Sequence, residues 1–222
     1  KSQYRLAYLY DRKDKIEDAM EYYEKGIEQD YCWSKFRLAK LCNRENEIER
    51  AKMYYDLAAS DMVEAKNNLA GLYFEDKNYQ EAIKNYDEAI VDGCKIAIEN
   101  IGDLYDQTGE IEKAISYYQR NSTIVSCQIK LGDIFRRIDN LDEAIVWYKK
   151  AVENDDTYSA YTLGLIYEEL KQFEEAKKYF TIAVDKNDVN SRIHLGRIYY
   201  NEECYEEAKE MFEITANEGN IY

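Results

Sequence analysis

Residues 157–188 read TYSAYTLGLIYEELKQFEEAKKYFTIAVDKND, and this stretch decides the fold. Between 158 and 169 the apolar side chains fall at Tyr161, Leu163, Leu165, Ile166 and Tyr167. After the polar Lys171 and Gln172, they fall at Phe173, Ala176, Tyr179, Phe180, Ala183 and Val184. Both spacings follow the period of a helix with one buried face. Each stretch has the length of about three turns, and so short a connection makes the two helices antiparallel neighbours. Axes that approach to about 8–10 Å need a small side chain at the crossing. Gly164 and Ala176 are expected on the two sides of it, with Leu163, Tyr167 and Phe180 filling the volume around them.

The pattern recurs along the whole chain. Alanine stands at Ala19, Ala51, Ala82, Ala114, Ala144, Ala176 and Ala208, at intervals of 32, 31, 32, 30, 32 and 32 residues. Twelve residues before each lies a small residue: Ala7, Ala39, Ala70, Gly102, Gly132, Gly164 and Gly196. Such a register marks a repeat array, in which each unit contacts only its neighbours and no central core is needed. We expect an all-α fold, an α-α superhelix in the form of a right-handed solenoid, with seven helix-turn-helix repeats, fourteen helices and no strand. The repeats run over 1–31, 32–62, 63–94, 95–124, 125–156, 157–188 and 189–222 as one array. Acidic pairs before the alanines, such as Asp142-Glu143, Glu174-Glu175 and Glu206-Glu207, open the second helices and complement their dipoles. In repeat four Asn121 replaces a small apolar residue and Ser122-Thr123 follow, a turn-forming run. The second helix is expected to end early there and the solenoid to bend.

The unit resembles a tetratricopeptide repeat. Leu163-Gly164-Leu165-Ile166-Tyr167, then Ala176, Phe180 and Ala183, carry the likeness, as do Leu69-Ala70-Gly71-Leu72-Tyr73, Ala82, Tyr86 and Ala89. The same holds for Leu131-Gly132-Asp133-Ile134-Phe135, Ala144, Tyr148 and Ala151. The units are shorter than the family's usual 34 residues, the proline that ends its second helix is absent, and Cys42 stands where an aromatic is usual. The shortening falls between units, where a run such as Asn217-Glu218-Gly219-Asn220 resembles the connectors of Sel1-like repeats. Lys1, Trp33, Tyr158 and Tyr222 occupy one repeat position and neither end has a polar cap, so the chain reads as an internal fragment of a longer protein.

Composition narrows the partners. The net charge of −15 argues against nucleic acid and anionic membranes, and there is no apolar run of membrane-spanning length. Residues 1–60 carry 12 Lys and Arg against 12 Asp and Glu, and residues 61–222 carry 18 against 33, so the first two repeats are relatively basic. Cys32, Cys42, Cys94, Cys127 and Cys204 are odd in number and show no metal-ligand spacing, which points to reduced thiols in the cytoplasm. One histidine, His194, excludes His-based triads and multi-His metal sites, and it is expected on the surface of the first helix of repeat seven. No phosphate-binding glycine motif occurs. We expect no enzyme and no cofactor.

In tetratricopeptide proteins the first helix of each unit lines the concave face, and the resemblance implies ligand contact at the positions three and two before and one and four after the small residue. The two-before row reads Arg5, Arg37, Asn68, Asn100, Lys130, Thr162, His194; the one-after row reads Tyr8, Lys40, Gly71, Asp103, Asp133, Leu165, Arg197. Asn68 and Asn100 hold the same place in adjacent repeats, and an amide both donates to and accepts from a peptide backbone. Arg5, Arg12, Arg37, Lys40 and Arg44 form a basic stretch interleaved with Tyr8. The expected function is a protein-interaction scaffold that binds an extended, acidic peptide or a partner protein, and the repeat surface also allows self-association. Alternatives are a peptide-sensing regulatory receptor, or the substrate-recruiting region of an enzyme whose catalytic domain lies outside these residues.

Overall fold

The register of the small residues is matched by a register in the backbone. In the computed structural model, which describes residues 1–217, a left-handed residue follows each first helix seven places after its small residue: Asp14, Asn46, Lys77, Gly109, Asp139, Lys171 and Glu203, with φ between 57° and 82°. Each closes its helix the same way. At Lys171 the amide donates to the carbonyl of Glu168 at 3.0 Å, and the Gln172 amide donates to the carbonyl of Tyr167 at 2.8 Å. This pair of bonds is the Schellman cap, which satisfies carbonyls that a helix end leaves open. The chain then reverses within three residues and starts the second helix. Acids stand in the first turn of every second helix, among them Asp142, Glu143, Glu174, Glu175, Glu206 and Glu207.

The chain divides into two compact units, Lys1–Tyr117 and Tyr118–Tyr222. The first contains α1 (Ser2–Arg12), α2 (Ile16–Ile27), α3 (Cys32–Arg44), α4 (Ile48–Ala59), α5 (Val63–Glu75), α6 (Tyr79–Val91) and α7 (Lys95–Gln107). The division falls within α8 (Ile111–Arg120). The second contains α9 (Val125–Arg137), α10 (Leu141–Glu153), α11 (Thr157–Glu169), α12 (Phe173–Val184), α13 (Val189–Asn201) and α14 (Tyr205–Asn217). Among the described residues there are fourteen helices and no strand. Glu218-Gly219-Asn220 and Tyr222 lie outside the described residues.

Within each unit the closest packing joins the two helices of a repeat, α1 with α2, α3 with α4, α5 with α6, and likewise α9 with α10, α11 with α12, and α13 with α14. Each second helix then meets the next repeat, as α4 meets α5 and α12 meets α13. The core of the first unit runs through Ala7, Tyr23, Leu38, Ala39, Tyr55, Leu69 and Leu72, and that of the second through Tyr148, Leu163, Ile166, Phe180 and Leu195. At the crossing the ring of the repeat aromatic lies closest to the small residue. A Cβ placed on Gly164 would lie 2.5 Å from the Phe180 ring, and one on Gly132 would lie 2.6 Å from the Tyr148 ring. The small residue therefore seats the aromatic four places after the alanine, whose ring lies nearest to Gly164. A flat ring needs the space of a missing side chain more than a methyl does.

The second helix of repeat four ends early, as its sequence implies. α8 has 10 residues against 12 or 13 in the other second helices. Asn121 is buried just beyond it, and the side-chain amide of Gln128 donates to the Ser122 carbonyl at 2.9 Å, closing the loop before α9.

Candidate functional site

The first helices of repeats two to four bring most of the paired-asparagine reading together. An open cavity of about 320 Å³ in the first unit is lined by Lys40 and Asn43 from α3, by Asn67, Asn68, Gly71, Leu72 and Glu75 from α5, and by Asn100 from α7. Its floor is Tyr55 and Tyr86, supplied by the second helices α4 and α6. Asn100 Nδ2 donates to Asn67 Oδ1 at 2.8 Å, Asn67 Nδ2 to Asn68 Oδ1 at 3.4 Å, and Asn68 Nδ2 to the Tyr55 hydroxyl at 3.4 Å. The three amides form one directional chain. Each amide nitrogen has two protons and spends one within the chain, so a second donor remains on every member. These helices put the amides there because α5 and α7 are the same element one repeat apart, and Asn68 and Asn100 share a register position.

The cations are distributed unevenly. Lys40 is exposed at the cavity and sits over the Phe36 ring at 6.0 Å. Arg37 lies over the Tyr8 ring at 5.3 Å, a cation–π contact between adjacent repeats, and its Nε is buried without a hydrogen-bond partner among the described residues. Arg5 and Arg12 are exposed on α1, away from the cavity lining. Arg44 is already paired: it reaches Asp11 at 3.0 Å, Glu45 at 3.0 Å and Asp14 at 3.7 Å. Its charge is thus compensated by the preceding repeat, a pairing across 33 residues.

The tyrosines at the aromatic repeat position divide by what meets their hydroxyls. Tyr148 donates to Asp133 at 2.6 Å, and Tyr55 receives Asn68. Tyr23 has a buried hydroxyl with no partner among the described residues. Burial raises the phenol pKa of Tyr23, Tyr55 and Tyr148; that of Tyr86 is pushed up to about 12, by burial first and then by the charges of Asp103 and Glu75.

The second unit corrects one expectation. His194 is not a free surface residue. Its ring stacks on Phe180 with centroids 5.1 Å apart, stands edge-on to Tyr161 at 5.9 Å, and meets Glu168 Oε2 through Nδ1 at 2.8 Å. The small Gly164 draws Phe180 into the core, and His194 of the next repeat stacks on that buried ring. Among the described residues no group of three or more His, Cys, Asp or Glu is placed to hold a metal ion, and no helix is long and apolar enough to cross a membrane.

Asn67 lies in the three-before row and Asn43 at the four-after position, so the row rule includes both without distinguishing them, whereas Tyr55, Glu75 and Tyr86 fall outside it. One signal was present. The one-after position and the repeat aromatic are 15 residues apart, as Asp133 and Tyr148 are, so Gly71 points to Tyr86.

Comparison with known proteins agrees with this architecture. Models described as "Tetratricopeptide repeat" match residues 1–31, 97–120, 125–158 and 157–185, and a second model of that description matches 63–95. The chain belongs to the tetratricopeptide repeat family, whose repeats generally act in protein–protein interaction. A Sel1 repeat model matches 44–61, so that likeness falls on the turn and second helix of repeat two. A heat shock protein sti1 homolog of Schizosaccharomyces pombe is 31% identical over 87 residues, which is 35% of this chain; the match spans 14% of that protein. A protective antigen of uropathogenic Escherichia coli displaying an SLR fold superposes over 96% of this chain and 52% of its own, at 21% identity and a TM-score of 0.66. The C-terminal part of a TPR repeat-containing protein from Cytophaga hutchinsonii covers 95% of this chain and 93% of its own, at 14% identity and a TM-score of 0.70. These likenesses give the fold class, the all-α superhelix of helix pairs.

Proposed function

We propose that the first-helix face of residues 1–117 binds an extended, net-acidic peptide segment of a partner protein. The observation that carries this reading is the amide chain Asn67–Asn68–Asn100 around an open cavity. Its spare donors are held in place before a ligand arrives, which lowers the ordering cost of binding. Arg5, Tyr8, Arg12, Arg37 and Lys40 lie on the repeats that precede it, and the four cations have no carboxylate partner among the described residues. Arg44, with three acids around it, contributes less than the sequence implies. The array acts as a scaffold rather than an enzyme, and the buried thiols of Cys42 and Cys127 suit a reducing cytoplasm.

Opposite charges along such a face speed encounter and set specificity, and their effect falls with salt. A single Arg5→Ala or Arg12→Ala change is expected to weaken binding by about 0.2–1 kcal/mol. Losing amides that hold a ligand backbone costs more, about 1–3 kcal/mol. The test is panning of a randomised dodecamer library on the protein, followed by titration of enriched peptides against Asn68→Ala plus Asn100→Ala. Acidic peptides that lose affinity with that double change support the reading. Unchanged affinity, or a set of uniformly basic peptides, overturns it.

A further inference from the structure

We infer that the notch at Gly71 is a side-chain subsite that takes a Lys or Arg of the bound peptide, so that the ligand is bipolar, an acidic run beside one obligatory basic residue. This rests on the peptide-binding reading above and adds a specificity to it. The notch exists because of one position. In repeat five the one-after residue is Asp133, and its carboxylate accepts the Tyr148 hydroxyl at 2.6 Å. In repeat three the same position is Gly71, which offers nothing. Tyr86, the counterpart of Tyr148, is 3% exposed and lines the cavity, and its hydroxyl has no hydrogen-bond partner among the described residues. A Cβ on Gly71 would meet only that hydroxyl, at 3.8 Å. The result is an open space with a buried phenol at its base.

The charge around the notch selects what enters. Glu75 stands one helical turn beyond Gly71 on α5 and lines the same cavity. Burial first, and then the charges of Asp103 and Glu75, keep the Tyr86 phenol protonated. Lys40 faces the cavity from α3, on the side of Asn43. A ligand carboxylate in the notch would meet Glu75 at a partly desolvated site, which is unfavourable. An ammonium or guanidinium donates to the Tyr86 oxygen at the cavity floor and pairs with Glu75, so it meets the hydroxyl and the acid at once. The amide chain fixes the register of the peptide, and the notch reads one side chain of it.

The same randomised dodecamer library, panned in parallel on the wild type, Gly71→Leu and Glu75→Lys, tests this. Leucine is the residue that repeat six carries at this position, Leu165, so Gly71→Leu is expected to fold, which circular dichroism and a urea melt check. The wild type is expected to enrich peptides with Lys or Arg at a fixed distance from an acidic run. Replacing that residue by alanine in the peptide should weaken binding about five- to tenfold. In Gly71→Leu the basic position should lose its selection while the acidic run remains, and in Glu75→Lys it should turn to Asp or Glu. Acidic peptides with no fixed basic position, with an Asn or Gln there instead, or with a basic position that persists in Gly71→Leu, overturn the subsite and leave the peptide-binding reading standing. No enriched peptide from any variant overturns both.

Discussion

Gly71 and Gly164 are glycines inside first helices of the same design, yet their surroundings are opposite. A methyl at Gly164 would press on three atoms of the Phe180 ring at 2.5–2.9 Å, and that ring is fully buried, so it has nowhere to retreat. A methyl at Gly71 meets one hydroxyl at 3.8 Å. Alanine restores about 0.5–1 kcal/mol of helix propensity at either place. Gly71→Ala is therefore expected to raise the urea midpoint by that amount. In Gly164→Ala the overpacking, about 1–3 kcal/mol, outweighs the propensity gain and the midpoint falls. Equal midpoints for the two variants would remove the ring-seating account of the small positions.

The caps of the first helices carry a cost that their sequences conceal. Six of the seven left-handed cap positions hold a residue with a side chain, and Gly109 is the exception. Lys171 is exposed, and from exposure alone a change to leucine there should be silent; its φ of 57° shows that the backbone, not the side chain, is what the position constrains. Removing the side chain relieves that constraint, so Lys171→Gly should stabilise by about 0.5–1 kcal/mol, read as a higher urea midpoint with an unchanged slope. Gly109→Ala should do the reverse, by about 1 kcal/mol or more, because its φ is 82°. If both substitutions leave the midpoint unmoved, the caps do not hold strain.

The array as a whole should be unusually sensitive to alkali. Tyr23, Tyr55, Tyr86 and Tyr148 all have phenols raised above the ordinary tyrosine value of 10.0, each by burial first. The folded state binds these protons more tightly than the unfolded chain. The resulting stability is fully present below pH 10, and it is lost as the pH rises from 10 through the folded values, about 12 for Tyr86. Urea midpoints measured across this range are expected to drop steeply above pH 10. Tyr86→Phe, which removes a hydroxyl with no partner, should make that drop shallower while the midpoint at neutral pH stays close to that of the wild type. A drop of the same steepness in Tyr86→Phe would show that its phenol keeps an ordinary pKa.

The alanine register carried the helix count and the places where second helices begin, and the run Asn121-Ser122-Thr123 carried the early end of α8. These follow from periodicities of three to four residues and from a repeat in which each unit packs on its neighbours, so everything needed lies within about 30 residues of chain. Asn68 and Asn100 were legible for the same reason, as one position in two adjacent units. What folding decided is how side chains from different helices meet. Asn67 enters the site because Asn100, 33 residues on, donates to it, and Arg44 leaves the free cations because Asp11, 33 residues back, accepts from it. His194 is drawn from the surface onto Phe180. The Gly71 notch exists only because a tyrosine hydroxyl on α6 faces a side chain that is missing on α5. Repeat position says which face a residue occupies, and only the packed helices determine which partner it finds there, since that depends on rotamers and on neighbours from the adjoining repeat.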